Sequence, residues 1–282
     1  MTINVLKNIS TSQLLATFNL AFSDYFIPFR LTLEQLQYKL LADHTDLNIS
    51  VGAFDKDKLV GFICHGIQTV GTSKLVYNGG TGVIPEKRGH GLTARMYDFI
   101  IPVLKEKNVD AIVLEVISTN TQAIKSYEKV GFKTKRMLHC YKGNVTISKV
   151  SNAVEIRELL YYDWELMESF WDSTPTWQNA PHVLNKLKSN NHIFGAFINK
   201  TLVGYVIYNA QSKRLQQIAV NARFRRQNIA SSIILHISKT FSPDLSIINV
   251  DEQSKSTNTF LQTIGLKHHL SQLEMRLDLK KQ

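Results

Sequence analysis

The chain has 282 residues, of which 44% are hydrophobic and 20% charged, enough for two packed cores and too apolar for a disordered chain. Its 33 Lys and Arg residues against 23 Asp and Glu residues give a formal net charge of +10. Split at residue 144, the two halves carry +5 each. Because a nucleic-acid-binding module usually concentrates its charge in one patch or tail, no nucleic-acid partner is expected. The even split instead suggests two similar halves.

Strands and helices alternate along the first half. The patterns predict, in chain order, a strand over residues 3–6, helices beginning after Ser10 and Thr32, a hairpin within 52–62, a strand from 75, a helix over 92–107, a strand over 111–117 and a helix over 121–129. Ser10 and Thr32 each begin a capping box with a Gln three residues later. Pro102 predicts a kink or early end of its helix. A further strand, over residues 145–150, is predicted to open the second half.

Several short motifs recur in the second half. The pair Gly52-Ala53-Phe54 and Leu59-Val60-Gly61-Phe62 reappears as Gly195-Ala196-Phe197 and Leu202-Val203-Gly204-Tyr205 at an offset of 143; Val83 and Arg88 correspond to Val220 and Arg225 at 137, and Gly131 to Gly265 at 134. A shrinking offset is typical of a duplicated fold that lost residues in its loops. We therefore predict two tandem α/β domains with mixed sheets, over residues 1–144 and 145–282.

Cysteine usage and hydropathy limit the classes of protein to which the chain can belong. Cys64 and Cys140 have no Cys or His neighbours at metal-ligand spacing, so neither a disulfide framework nor a metal site is expected. No stretch approaches the roughly 20 apolar residues that span a bilayer. These features predict a cytoplasmic protein with no metal and no membrane partner.

The segment from Val83 to Thr93 joins a glycine-containing strand to a helix. Gly89 and Gly91 stand just before that helix. Glycines there let successive backbone N–H groups point at one place, and the helix dipole adds to their attraction for an anion. The segment therefore predicts a phosphate-binding turn, although a Gly-x-Gly turn by itself also fits an ordinary loop.

Two ionisable residues follow in the next strand and helix. Glu115 lies near the end of an apolar run typical of a strand covered on both faces. A buried carboxylate is costly unless compensated, and ligand crevices open at the carboxyl ends of such strands, so Glu115 is a candidate functional residue. Tyr127 shares a helical stripe with Ala123 and Val130, a pattern that by itself favours a core tyrosine with its hydroxyl near the rim.

Together these segments resemble the GCN5-related N-acetyltransferase superfamily. Val83-x-Pro85-x-x-Arg88-Gly89-x-Gly91-Leu92 is similar to its acetyl-CoA pyrophosphate motif, and Asn120-x-x-Ala123-x-x-x-Tyr127-x-x-x-Gly131-Phe132 is similar to its second cofactor motif. The similarity covers most of residues 50–135. Thr93 stands where that family usually has Gly or Ala.

The resemblance implies a role for each matched residue. The amides of Arg88, Gly89, His90, Gly91, Leu92 and Thr93 would hold the pyrophosphate of acetyl-CoA, the strand around Val83 would pair with the pantetheine arm, and Asn120 would hydrogen-bond the cofactor. Tyr127 would protonate the departing thiolate. The spacing between Glu115 and Tyr127 resembles the base-and-acid pairing of protein N-terminal acetyltransferases in this superfamily, which makes Glu115 the candidate base.

The resemblance predicts transfer of an acetyl group to a primary amine by direct attack, with a small-molecule or peptide amine as acceptor. Tyr25, Phe26, Phe29 and Arg30 are candidates to line the acceptor site, and aromatic packing with a surface arginine is the alternative. The whole chain could instead be a non-catalytic acyl-CoA-binding or sensing protein. We expect either a monomer whose domains imitate a dimer or a homodimer.

The second half has lost key residues of these motifs. Arg226 and Asn228 replace the two glycines, and Leu261 falls where Tyr127 would be. Because Asn tolerates left-handed backbone conformations better than most residues, the shape of the loop is expected to survive. Without the candidate acid, this half is expected to stabilise the protein or to shape the acceptor site rather than to transfer acetyl groups.

Overall fold

The computed structural model describes residues 1–25 and 30–280. Its elements, in chain order, are β1 (Thr2–Val5), α1 (Thr11–Ala21), α2 (Leu33–Ala42), β2 (Val51–Asp55), β3 (Lys58–Val70), β4 (Ser73–Val83), α3 (Leu92–Glu106), β5 (Ala111–Ile117), α4 (Thr121–Val130), β6 (Lys133–Asn144), β7 (Glu155–Glu158), α5 (Trp164–Glu168), α6 (Pro181–Lys186), β8 (His192–Ile198), β9 (Thr201–Asn209), β10 (Arg214–Val220), α7 (Ile229–Thr240), β11 (Asp244–Asp251), α8 (Lys255–Thr263) and β12 (Lys267–Asp278).

The chain forms two compact units. The first contains residues 1–135 together with the segment from residue 273 onward, and the second contains residues 136–272. The boundary predicted at residue 144 falls at the C-terminal end of β6, most of which belongs to the second unit, and the last strand segment of the chain belongs to the first unit. The repeat marks copied sequence, and it carries no information on which sheet a terminal strand completes.

The first unit is a mixed sheet covered on both faces. Its strand order is β1-β2-β3-β4-β5, followed by β12, of which residues 273–278 belong to this unit. The pairs from β1 to β4 are antiparallel, whereas β4 and β5 run parallel. Helices α1 and α2 pack on a cluster around Phe18 and Phe62, and α3 and α4 pack on another around Tyr97 and Ile112.

Local sequence signals account for the helix ends of this unit. The Ser10 hydroxyl accepts from the amide of Gln13, and Thr32 forms the full reciprocal box with Gln35. Of the two outcomes predicted at Pro102, a kink or an early end, the early end was wrong, because α3 continues through Pro102 to Glu106. Pro102 lies on the exposed side of the helix, as does Asp98, so water can bind the backbone carbonyl that the missing N–H leaves without a partner.

The second unit has the same kind of sheet. Its strand order is β12, of which residues 267–272 belong to this unit, followed by β6-β11-β10-β9-β8-β7. Strands β10 and β11 are parallel, and the other described pairs are antiparallel. The strand predicted over residues 145–150 was wrong: these described residues are irregular, and β7 occupies the sheet edge. Loop contacts satisfy their backbone, since the Val145 amide donates to Pro243 at 2.9 Å and the Thr146 amide to Ile264 at 2.8 Å.

Each unit has an opening between its two parallel strands. The described pairing of β4 with β5 covers Leu75–Tyr77 only, and that of β10 with β11 covers Arg214 and Leu215 only. Beyond these points both strands continue without a described pairing to each other. The parallel strands therefore present backbone groups along a cleft, as the predicted pairing with a pantetheine arm requires.

Candidate functional site

The loop before α3 has the conformation of an anion-binding turn. Gly89 and Gly91 both adopt left-handed backbone angles, with φ of +79° and +67°. No described heavy atom lies within 4 Å of where a Cβ would sit at either glycine. The first described helical bond runs from the Arg95 amide to the Gly91 carbonyl at 3.1 Å, so the amides of Leu92 and Thr93 precede it and lack intrahelical acceptors.

Arg88 differs from the residues that follow it in this loop, because its amide and its side chain already form hydrogen bonds within the protein. Its amide already donates to Pro85 at 3.2 Å, so the predicted set of phosphate-binding amides is better limited to residues 89–93. Its guanidinium donates to Val83 O at 3.1 Å, to Ala21 O at 2.8 Å and to both carboxylate oxygens of Asp24 at 2.6 and 2.8 Å. The Asp24 pKa is lowered by this hydrogen bond with Arg88. Arg88 therefore ties the end of α1 to the end of β4.

Tyr127 belongs to a polar cluster within the apolar layer under α3 and α4. The Asn78 side chain donates to the hydroxyls of Thr81 and Tyr97 at 2.8 Å each, and Tyr127 hydrogen-bonds with Asn78 and Thr81. Burial raises the Tyr127 pKa above its usual value, although the bonds to Thr81 and Asn78 act in the opposite direction. The hydroxyl therefore keeps its proton at neutral pH and faces the part of β4 that β5 does not pair.

Glu115 is on the opposite face of the sheet from that cluster. It alternates with Leu114 and Val116, which belong to the core under α3 and α4. The Tyr77 hydroxyl donates to its Oε2 at 2.7 Å. Burial raises the Glu115 pKa to about 7, and the hydrogen bond from Tyr77 lowers it in part. Although part of the residue surface is accessible, the carboxyl group lies deep enough to titrate near neutrality.

Of the other predicted residues of the first unit, Asn120 and Tyr25 have contacts near Tyr127. The Asn120 side chain accepts from the Ala123 amide at 3.1 Å as the cap of α4, and it also hydrogen-bonds with Tyr25. Tyr25 is half-buried, and Arg30 is exposed. Phe26 and Phe29 lie outside the described residues. Asn120 and Tyr25 therefore come together with Tyr127, whose pKa is affected by Tyr25.

Asp43 is a residue near this site that the sequence reasoning missed. It is 4% exposed and forms an ion pair with Lys39, with 2.7 Å between Nζ and Oδ2. It touches β4 at Gly79, the extra residue of a β-bulge in which Asn78 and Gly80 oppose His65 and Cys64. The glycine run in β4 already indicated a bulge or a close approach, but it could not say which side chain approaches.

The second unit keeps the shape of the loop without its glycines. Arg226 and Asn228 adopt φ of +62° and +59°, close to the angles at Gly89 and Gly91. Arg225 also repeats the tie made by Arg88: it donates to Val220 O at 3.0 Å, to Phe170 O at 3.0 Å and to Asp172 at 2.6 Å. The expectation that the loop shape survives is thus confirmed by the backbone angles.

A cavity of about 510 Å³ lies within the second unit at the position of this loop. It is lined by β10, the start of α7, the end of β11 and α8. The offset of 134 places Leu261 at the position of Tyr127 and Asn249 at that of Glu115. Asn249 instead donates to the Thr176 hydroxyl at 3.1 Å. The cleft is therefore retained without the proposed acid and base.

The described residues contain neither a metal-binding cluster nor a membrane-spanning helix. In residues 1–25 and 30–280, no group of three or more His, Cys, Asp or Glu side chains is arranged to hold a metal ion. Within the same ranges, none of the helices has the length and apolar character needed to cross a membrane.

Comparison with known proteins identifies the family of both halves. Residues 14–132 match the model of the acetyltransferase (GNAT) family, and residues 164–276 match that of the acetyltransferase (GNAT) domain. A 95-residue stretch is 30% identical to N-alpha-acetyltransferase 30 of Schizosaccharomyces pombe; this stretch is 33% of the chain and spans 63% of that relative's length.

Solved structures share the fold over nearly the whole chain. A putative acetyltransferase from Pyrococcus horikoshii is 16% identical with a TM-score of 0.70, covering 99% of this chain and 89% of that one. A GCN5-related N-acetyltransferase from Sphaerobacter thermophilus is 12% identical with a TM-score of 0.74, covering 99% and 96%. A tandem GNAT protein from the clavulanic acid biosynthesis pathway is 8% identical with a TM-score of 0.73, covering 100% of each chain. The chain therefore belongs to the GCN5-related N-acetyltransferase superfamily and carries two tandem domains of that family.

Proposed function

We propose that the protein is an acetyl-CoA-dependent N-acetyltransferase whose first unit transfers an acetyl group to a primary amine. The observation that carries this proposal is the placement of Glu115 and Tyr127 on opposite faces of the sheet beside the opening between β4 and β5. A base that accepts at neutral pH and a hydroxyl that keeps its proton are then available on the two sides of one cleft.

Residues 89–93 fit the pyrophosphate of acetyl-CoA. The two left-handed glycines leave open space where side chains would be, and the α3 amides that precede the first helical bond lack acceptors within the helix. The backbone along β4 beyond Tyr77 is available for the amides of the pantetheine arm. Bound there, acetyl-CoA supplies a thioester that an amine can attack.

The protein side chains would then handle two protons. Glu115 accepts one from the ammonium or from the attacking nitrogen as the new C–N bond forms. Tyr127 donates one to the sulfur as the C–S bond breaks, which prevents an unprotonated thiolate from being the leaving group. The hydrogen bond from Tyr77 fixes the orientation of Glu115, and Asn78 and Thr81 hold Tyr127.

The Glu115 pKa favours one class of acceptor. A peptide α-amino group has a pKa of about 8, whereas a lysine side chain lies at about 10.4. Transfer of a proton to a carboxylate with a pKa of about 7 is therefore far less uphill from a peptide N-terminus. The relative from Schizosaccharomyces pombe is named as an N-alpha-acetyltransferase, which supports a peptide amine as acceptor.

The test is an acetyl-transfer assay that follows release of the CoA thiol with a panel of peptides and small amines. Wild-type protein should release thiol with at least one acceptor, and Glu115→Gln and Tyr127→Phe should reduce that release while keeping acetyl-CoA affinity. Equal turnover by both variants and the wild type would place the chemistry elsewhere.

A second candidate function, acyl-CoA binding without transfer, is favoured by the second unit. Its cavity of about 510 Å³ adjoins a loop with the same backbone angles as the first, while Leu261 and Asn249 replace the acid and the base. Calorimetric titration with acetyl-CoA tests this role: one equivalent should remain bound in Gly91→Val, whose first-unit loop is blocked. No remaining binding in that variant would assign all cofactor binding to the first unit.

A further inference from the structure

The Lys39–Asp43 ion pair at the C-terminal end of α2 has no role in the mechanism above. The Asp43 side chain is buried, whereas 23% of the Lys39 side chain is exposed. Burial raises the pKa of Asp43, and the nearby ammonium of Lys39 lowers it. Burial is the larger effect, so the Asp43 pKa is raised overall, and the Lys39 ammonium paired with it favours the ionised carboxylate.

Asp43 is wedged between two strands at the bulge. A Cβ on Gly79 would lie 2.4 Å from its Oδ2, and one on Gly66 would lie 1.9 Å from its carbonyl oxygen. Both positions therefore require glycine for Asp43 to fit. Gly79 is two residues from Tyr77, which holds Glu115, and two residues from Thr81, which holds Tyr127. Asp43 thus contacts the short strand segment that positions both proposed reacting groups.

Charged and titratable groups on several elements face Glu115. Burial is the largest effect on its pKa and raises it. Tyr77 of β4 and Lys39 of α2 lower this pKa, while Glu274 of β12 and Asp43, the residue that caps α2, raise it. Asp43 itself is next to His44, whose charge favours the ionised carboxylate, and near Cys64 of β3, whose pKa burial raises to about 12. Among these groups, Asp43 combines a carboxylate with direct contact to the bulge.

We propose that Asp43 is a positioning residue for acetyl transfer: ion-paired with Lys39, it supports the Gly79 bulge and places its carboxylate near Glu115, where it strengthens Glu115 as a proton acceptor. The proposal rests on the proposed role of Glu115. It adds that the C-terminal end of α2, which supplies none of the proposed reacting groups, contributes to the base strength of the site.

The experiment compares the pH dependence of kcat/KM for wild-type protein and Asp43→Asn. The amide keeps the shape of the side chain and removes its charge, so the acidic limb should move to lower pH by about 0.5–1 unit. The plateau rate should fall by about 2- to 10-fold, because a weaker base removes the amine proton less well. Lys39→Arg, which preserves the charge pair, should keep the wild-type limb.

Two further variants keep the result interpretable. Asp57→Asn makes the same charge change in the exposed turn between β2 and β3 and should leave the limb in place. If thermal unfolding shows that the Asp43→Asn variant does not fold, the experiment uses Asp43→Ser, whose side chain is smaller and also neutral. A folded Asp43 variant whose rate falls equally at every pH, or whose limb does not move, overturns the proposal. A limb that persists in Glu115→Gln instead overturns the proposed function itself.

Discussion

Replacement of Tyr127 by Phe separates the proposed acid from a core tyrosine. The change removes only a hydroxyl, since the ring remains packed on Phe132 with 5.6 Å between ring centroids. It also removes the hydrogen bonds of that hydroxyl with Asn78 and Thr81. A neighbouring residue provides the matched control: the Tyr97 hydroxyl accepts from the same Asn78 side chain at 2.8 Å, and Tyr97 is fully buried on α3.

The expected effects on stability and on rate differ strongly in size. Loss of one buried hydroxyl from such a cluster costs about 1–2 kcal/mol of unfolding free energy, or a few degrees in Tm, for either tyrosine. Loss of a general acid costs about 10²- to 10⁴-fold in kcat, equal to about 3–5 kcal/mol of activation free energy. Tyr127→Phe should therefore lose turnover well beyond its loss of stability, whereas Tyr97→Phe should lose stability alone.

The assay measures thiol release under saturating acetyl-CoA and an active acceptor, with thermal unfolding and acetyl-CoA affinity followed for each variant. Tyr127→Phe should keep its cofactor affinity nearly intact, because the hydroxyl is proposed to act on the leaving sulfur rather than to bind the cofactor. Unchanged turnover, or an equal loss in both variants, would return Tyr127 to the role of a core tyrosine.

The same geometry yields four further predictions. Gly91→Val should stop turnover and remove one equivalent of acetyl-CoA binding in calorimetry, because a β-branched residue is strained at a φ of +67°. The matched variant Asn228→Val should leave turnover unchanged. Normal turnover in Gly91→Val would contradict the proposal that this loop binds the pyrophosphate. Because the Glu115 carboxyl titrates at about 7, its base form grows as pH rises, so kcat/KM should climb through that range and Glu115→Gln should lose this limb. The same raised pKa makes stability depend on pH: the contribution of Glu115 to folding is fully present below its unfolded-state pKa of about 4.5 and is lost as pH rises through 7. At pH 8, Glu115→Gln should therefore be more stable than wild type by about 1–3 kcal/mol in chemical denaturation. A less stable variant would contradict the burial of this group. Arg88→Gln and Arg225→Gln should each lower the unfolding free energy by about 1–2 kcal/mol, because each removes an equivalent set of hydrogen bonds. Only Arg88→Gln should reduce turnover. Equal turnover in both variants would mean that the hydrogen bonds of Arg88 do not support the proposed site.

Much of the fold was accessible from local patterns. The hairpins, the strand over residues 111–117 and the helix starts at Ser10 and Thr32 depend on neighbouring residues, and the structure confirms them. The strand expected over residues 145–150 failed because contacts with distant loops satisfy that backbone. Whether an apolar segment pairs as a strand is decided by its neighbours in space, which periodicity cannot reveal.

The sequence by itself determined the duplication, the superfamily and the replacement of Tyr127 by Leu261 in the second half, because each depends on residue types at fixed spacing. Tertiary structure alone decided that residues from 273 onward complete the first unit and that the Arg88 side chain ties α1 to β4. It also decided that Asp43 approaches Gly79 and that Glu115 titrates near neutrality. These properties depend on contacts between residues far apart in the chain and on burial, which shifts a pKa only once the groups around it are in place.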